Sequence, residues 1–340
     1  MMNEIMMAKD LLINGMRNGE ELKIPDWFKK PDRVVFIGIG GSAMAGEIIS
    51  WILVNIHGIP SQVFRGPEIP ANFFTDNTLV FIISYSGNTW ETLAAFRSLK
   101  DISSMKISVT SNGKLAELSS RFNISVIPLT PGIQPRSSLY EQVASLLMVL
   151  DKLGIHIRAS QELEHSRHAI ERVLNNEQDR AYEIASMIAR KSVVIYGYRS
   201  MSVVAMRWKT QFNENAKMMA WYETLTEANH NSLVGWGESE ESDNYSIIVL
   251  RSPREESEPV RETLNWFQEY LSKRFYLFTY ETYEESLLAR ILSTCVMGDL
   301  ISVKVSEIKN IDAKSVRPIN ALKNYIERWG VYNYLGFDRF

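Results

Sequence analysis

Apolar residues in this chain gather into short, nearly continuous runs, each followed by a turn of small polar residues and then by a stretch of helical length. The first run is Val34 to Gly38 (VVFIG), followed by the turn Gly38-Ile39-Gly40-Gly41-Ser42 and a long apolar stretch. The second is Thr78 to Ser84 (TLVFIIS), then Tyr85-Ser86-Gly87-Asn88-Thr89 and a helix from Trp90 to Leu99. A third comprises Lys106 to Thr110 (KISVT), Ser111-Asn112-Gly113 and a helix beginning near Lys114, and a fourth strand is expected at Ile124 to Leu129. Strands that are apolar throughout, without alternation, are buried on both faces. Strand, turn and helix in repetition predict an α/β fold, a parallel sheet covered by helices on both sides.

The second half repeats this order more faintly. Ser192 to Trp208 echoes Val34 onward, Tyr245 to Pro253 echoes Thr78 onward, and Arg274 to Glu281 echoes Lys106 onward. The offsets, 159 residues for Val34/Val193 and 167 for Thr78/Tyr245, are similar and in the same order. An internal duplication gives this pattern; two independent halves of generic α/β type also give it. The polar stretch 152–190 between them reads as mostly helical.

Composition narrows the function classes. The chain has 340 residues, room for two domains. Its 45% hydrophobic and 23% charged residues are ordinary for a globular protein and exclude a disordered one. A net charge of -3 argues against a dedicated nucleic-acid binder. The one cysteine, Cys295, reads as a small buried hydrophobe in a reducing compartment. The opening MMNEIMMAKD has no basic segment leading into an apolar run, so no secretory signal is expected. The stretch 34–59 is broken by Gly38, Gly40, Gly41, Gly46 and Glu47, so it reads as strand, turn and buried helix and not as a membrane span. A cytoplasmic protein with no membrane or nucleic-acid partner is expected.

In open parallel sheets, ligands bind beyond the carboxyl ends of the strands. In the first half those ends carry Gly40, Gly41 and Ser42, then Ser84, Ser86 and Thr89, then Thr110 and Ser111. Each turn opens a helix, whose N-terminal N–H groups and dipole favour an anion. No Gly-Lys-Ser/Thr follows the glycines, so this is not a Walker loop, and their bunching is a poor dinucleotide fingerprint. Helix capping is the commonest work of Ser and Thr in such positions. Three successive turns converging with hydroxyls and backbone N–H groups in one half point instead to a phosphate site.

IGIGGSAMAGE, SYSGNTWETL and TSNGKLAE resemble the sugar isomerase (SIS) domain. PGIQPRSSLY (131–140), NENAKMMAWYETLTEANHNSLVGW (213–236) and the late INALK (319–323) resemble the bifunctional phosphoglucose/phosphomannose isomerases. The resemblance runs from Val34 to Lys323. It implies two flavodoxin-like, SIS-type, doubly wound parallel-sheet domains: 1–151 with the phosphate loops and 191–340 with catalytic residues, joined by the helical 152–190. It also implies a metal-independent aldose–ketose isomerase without a cofactor, converting glucose 6-phosphate, and in the family mannose 6-phosphate, to fructose 6-phosphate.

Such a reaction needs the anion held, the ring opened, a proton moved between C1 and C2, and the enediolate charge stabilised. The resemblance makes Glu214 the base, against a surface glutamate at a helix end as the plain alternative. It makes His230, in Asn229-His230-Asn231, the ring-opening group, entering from the neighbouring subunit of a homodimer. A histidine's ordinary pKa of about 6.5 suits a proton shuttle. Arg136 resembles the arginine that stabilises the enediolate, its charge being permanent; Lys323 resembles a lysine assisting ring opening or sugar binding. Where family members carry a threonine before that lysine, this chain has Ala313, Lys314, Ser315 and Val316. Glucose 6-phosphate is therefore implied more directly than mannose 6-phosphate.

The five histidines suggest no metal site; His165 and His168, spaced i, i+3, sit in a polar segment that reads as a solvated helix face. Trp208, Trp221 and Trp236 read as core or dimer-interface packing and not as sugar platforms. A non-catalytic phosphosugar sensor is the competing reading, although such regulators carry a helix-turn-helix module not evident before Val34. An isomerase of another phosphosugar is a third, but those enzymes generally have one such domain.

Overall fold

The computed structural model describes residues 1–238 and 244–336. The chain forms two compact units. The first comprises Met7–Leu163 with the segment from Val316 onward; the second comprises Met1–Met6 with Glu164–Ser315. The ends of the chain are thus exchanged relative to a division made in sequence order.

After α1 (Met2–Met6) and α2 (Ala8–Glu21), the first unit alternates β1 (Arg33–Ile37), α3 (Gly41–Asn55), β2 (Ser61–Phe64), β3 (Thr78–Ile83), α4 (Trp90–Leu99), β4 (Met105–Thr110), α5 (Lys114–Arg121) and β5 (Ser125–Pro128). The five strands are parallel in the order β2-β1-β3-β4-β5. All six residues of β3 are buried, which explains the unbroken apolar run of this central strand. Phe36 and Phe81 are register partners on β1 and β3 and stack with ring centroids 5.5 Å apart. Helix α6 (Leu139–Lys152) packs against α2 and α3 and is buried over most of its surface. Helix α2 lies so close to it that a Cβ on Gly15 would meet the Glu141 carbonyl oxygen at 2.3 Å.

The division between units falls within α7 (Ala159–Asn176), which is followed by α8 (Gln178–Ile188). The second unit then runs β6 (Ser192–Tyr198), α9 (Ser200–Glu214), β7 (Ala220–Leu225), α10 (Ser232–Glu238), β8 (Tyr245–Arg251), α11 (Glu258–Ser272), β9 (Tyr276–Glu281) and α12 (Leu287–Ile308). Its four parallel strands take the order β7-β6-β8-β9, that of the first sheet without the fifth strand. Helices α13 (Arg317–Trp329) and α14 (Val331–Tyr334) follow and belong to the first unit.

The two sheets agree in register as well as in order. Arg33 pairs with Thr78, and Ser192 with Tyr245, so residues matched by the two sequence offsets are partners in both sheets. The first offset also carries α3 onto α9 and the start of β2 onto that of β7, since Val34 pairs with Ser61 and Val193 with Ala220. The third match needs correction. Leu79 pairs with Met105 and Ser246 with Tyr276, so Lys106 corresponds to Leu277 and not to Arg274.

In the second unit Trp208 is fully buried and donates from Nε1 to the Thr294 carbonyl at 2.8 Å. Cys295 is buried, and desolvation pushes its thiol pKa well up, as expected of a packing residue. A buried ion pair, Arg207 to Asp299, joins α9 to α12 with Nε–Oδ1 at 3.2 Å and Nη2–Oδ2 at 3.1 Å. Among the described residues, no helix is long and apolar enough to cross a membrane.

Candidate active site

The first unit's turns are cross-linked by the residues that the sequence singles out. Ser42, in the first turn of α3, is buried and accepts the Tyr85 N–H at 3.2 Å, tying the β1–α3 turn to the β3–α4 turn. Ser84 is fully buried and donates from Oγ to Thr89 Oγ1 at 3.0 Å. Thr89 stands at the N-cap of α4, yet its side chain makes no capping bond, and α3 begins after Gly40 without a side-chain cap either. These hydroxyls are therefore not helix caps. The N-termini of α3 and α4 keep donor groups of the kind that bind anions.

The third turn behaves differently. Lys114 N–H, which opens α5, donates to Asn88 Oδ1 at 3.0 Å, and Leu115 N–H to the Gly87 carbonyl at 2.9 Å. Ser111 Oγ donates to the Tyr85 carbonyl and Thr110 Oγ1 to that of Asn112, both at 2.7 Å. Its polar groups brace the second turn, so two turns and not three converge as a candidate anion cradle. Gly87 is required for that bracing. It has φ +66°, and a Cβ there would lie 1.8 Å from the Asn112 carbonyl oxygen.

Arg136 lies in a 3-10 turn, Pro135–Ser138, that leads into α6. It is only 2% exposed, which rules out a solvated loop arginine, and Nη1 donates to Gln134 Oε1 at 3.2 Å. Its backbone abuts the first turn, where a Cβ on Gly41 would be 3.1 Å from Arg136 Cα. Tyr85 fixes the approach, donating from its hydroxyl to the Thr130 carbonyl and accepting Ile133 N–H, each at 3.0 Å. Glu141 on α6 accepts Thr130 N–H at 2.9 Å and Thr130 Oγ1 at 2.9 Å. Burial pushes the Glu141 carboxyl above the ordinary range, and the Thr130 bonds oppose that rise. Lys323 is exposed on α13.

Glu214 and His230 belong to the second unit, while Gly40, Gly41, Ser42, Ser84, Ser86, Thr89, Arg136 and Lys323 belong to the first. Glu214 is the last residue of α9 and half-buried. The asparagines on either side explain how it is held: Asn213 Nδ2 donates to the Met218 carbonyl at 2.8 Å, and Asn215 Nδ2 to Ser302 Oγ on α12 at 3.0 Å. Lys217 Nζ closes the turn, donating to the Glu214 carbonyl at 2.6 Å and the Ala313 carbonyl at 3.1 Å.

His230 ends a 3-10 turn, Glu227–His230, and is exposed. Its neighbours do different things. Asn231 donates to Glu227 Oε1 at 3.1 Å and accepts Ser232 N–H at 2.6 Å, opening α10. Asn229 has both amide atoms buried with no hydrogen-bond partner among the described residues.

Other features lie apart from these residues. A cleft of about 720 Å³ in the second unit is lined by Arg172, Glu177, Arg180, Tyr280 and Glu284 but by no candidate site residue. The His168–Glu164 pair, at 3.0 Å, is exposed on a helix face. Among the described residues no three His, Cys, Asp or Glu side chains are grouped to hold a metal ion.

Residues 28–151 match the SIS domain family, and residues 177–326 match the bacterial phospho-glucose isomerase C-terminal SIS domain. A bifunctional phosphoglucose/phosphomannose isomerase from Thermoplasma volcanium is 31% identical over 87% of this chain and 92% of its own length. The chain belongs to the bifunctional phosphoglucose/phosphomannose isomerase family. Another relative, from Sulfolobus acidocaldarius, is named D-glucosamine-6-phosphate 4-epimerase and is 26% identical over 87% of this chain and 89% of its length. The C-terminal domain of glucosamine-fructose-6-phosphate aminotransferase from Francisella tularensis superposes with a TM-score of 0.74, at 17% identity, over 92% of this chain and 97% of that one. This likeness shows the fold: two parallel-sheet α/β domains of SIS type.

Proposed function

We propose that the protein is an aldose–ketose isomerase that interconverts glucose 6-phosphate, and more weakly mannose 6-phosphate, with fructose 6-phosphate. The observation that carries this reading is the pair of cross-linked turns at the N-termini of α3 and α4, with the Arg136 backbone packed against Gly41. In this proposal Gly40 and Gly41 N–H groups, Ser86 and Thr89 hold the phosphate, while buried Ser42 and Ser84 position the turns. Glu214 moves the proton between C1 and C2, and Arg136 stabilises the enediolate oxygen. His230 passes a proton between the ring oxygen and the C1 hydroxyl, and Lys323 assists at the sugar.

The exposure of His230 supports an arrangement in which the partner subunit's His230 completes the site of a homodimer. The ordinary charge balance and the buried, unreactive Cys295 support a cytoplasmic enzyme. Ser315 in place of the family's threonine supports the weaker mannose channel.

The Sulfolobus relative favours a second reading, 4-epimerisation of an amino-sugar phosphate. A coupled assay of EDTA-treated protein with fructose 6-phosphate, reading glucose 6-phosphate and mannose 6-phosphate separately, is the test; glucosamine 6-phosphate runs in parallel. Glucose 6-phosphate formation with the wild type and its collapse in Glu214→Gln is the expected result. Turnover of the amino sugar alone overturns the first reading in favour of the second. A folded protein that binds fructose 6-phosphate and turns over nothing is the sensor.

A further inference from the structure

The second unit carries the first unit's anion turns in altered form. By strand register and the matching starts of α3 and α9, Gly40 corresponds to Arg199, Gly41 to Ser200 and Ser84 to Arg251. Thr89, the N-cap of α4, corresponds to Ser257, the N-cap of α11, so the second turn is one residue longer here and carries Glu255 and Glu256. The backbone of the first turn is kept: Gly40 has φ 59° and ψ -129°, and Arg199 has φ 50° and ψ -121°. Where the Ser84–Thr89 hydrogen bond closes the first unit's turn, a buried ion pair closes the second unit's, Arg251 Nε lying 3.0 Å from Glu256 Oε1.

Glu255, whose side chain is 9% exposed, points its carboxylate into a basic setting. Ser200 Oγ, fully buried in the first turn of α9, donates to Glu255 Oε2. Arg199 Nε lies 3.6 Å from Oε1 and Arg290 Nε 3.9 Å from Oε2. Arg290 is itself 8% exposed, and its Nη1 donates to the Glu284 and Glu285 carbonyls at 2.8 Å each. In the same turn Ser252, 3% exposed, has a buried hydroxyl with no hydrogen-bond partner among the described residues. Two guanidinium groups and a hydroxyl around one carboxylate form the donor set an external oxyanion would take.

We propose that Glu255 is a built-in anion filling the second unit's copy of the anion site, and that removing its carboxylate opens this site to a phosphate-class oxyanion. The chain then binds one phosphate and not two. That count rests on the reading of the first unit's turns as the phosphate site; the assignment of Glu255 does not.

Equilibrium dialysis against labelled inorganic phosphate in phosphate-free, low-salt buffer tests the proposal with full-length wild type and Glu255→Ala. One phosphate per chain is expected for the wild type and two for the variant. None for the wild type and one for the variant would sink the first-unit site while upholding Glu255. Equal stoichiometry in two folded proteins overturns the proposal. Should Glu255→Ala fail to fold in this buffer, refolding is compared with and without phosphate. Rescue by phosphate but not by chloride at equal ionic strength is expected, and no rescue overturns the proposal.

Discussion

Ser84 Oγ lies 3.0 Å from Thr89 Oγ1, closing a turn in which neither hydroxyl caps the helix that follows. This relationship turns two ordinary residues into a fixed donor–acceptor pair at the mouth of a parallel sheet. Thr89→Val keeps the shape and removes the hydroxyl, so KM for fructose 6-phosphate should rise with kcat little changed. A hydrogen bond to a charged group contributes about 1.5–3 kcal/mol, which corresponds to roughly ten- to a hundredfold. Steady-state kinetics with separate KM and kcat check this; an unchanged KM would count against Thr89 as a phosphate ligand.

Gly87 should tolerate no side chain. Gly87→Ala places a methyl group against the Asn112 carbonyl at a positive φ, so the turn must move. A loss of about 1–3 kcal/mol of stability is expected, together with weaker phosphate binding. Urea unfolding and phosphate titration measure the two effects on the same sample.

Most of the strands were legible as sequence because buried parallel strands are apolar throughout. Thr78–Ile83 and Met105–Thr110 lie within a residue of the expected runs. Strand β2 was not, since its four residues SQVF are half-exposed at the sheet edge and too few to show a pattern. Helix α2 was missed because its buried face is formed partly by Gly15 and Gly19, which carry no hydrophobic signal. At the site, the turn residues could be read from strand ends, whereas Glu214 and His230 could not be found by spacing. One ends a helix and the other ends a 3-10 turn beyond an intervening strand, so only the motif words pointed to them. The bracing role of the third turn was hidden as well, for Asn88 reaches it across 26 residues of sequence.

Asp299 should be among the most sensitive positions of the second unit. It is nearly fully buried against Arg207, so Asp299→Ala leaves a guanidinium stranded in the core. Breaking a buried pair from one side costs about 3–5 kcal/mol. Thermal unfolding of the variant should show this loss, and a change below about 1 kcal/mol would contradict the role given to the pair.

Glu141 gives the first unit a distinct pH dependence. Its carboxyl pKa is raised in the folded state by burial, so the folded protein holds this proton more tightly than the unfolded chain does. Its contribution to stability is therefore fullest below the unfolded value of about 4.3, and falls as pH rises from there to the folded pKa. Glu141→Gln lacks this titration. The stability of wild type minus that of Glu141→Gln should fall with increasing pH across that window, as read from urea melts at a series of pH values. A difference that rises instead would contradict the direction of the shift.

Everything in the proposed reaction turns on one carboxylate, Glu214, moving a proton between C1 and C2. Turnover of fructose 6-phosphate in deuterium oxide, with NMR of the aldose product at C2, tests it most directly. Deuterium at C2 is expected with the wild type wherever the proton on Glu214 exchanges with solvent during transfer, and neither incorporation nor turnover with folded Glu214→Gln. Aldose formed by folded Glu214→Gln as fast as by the wild type, with or without deuterium, would contradict it.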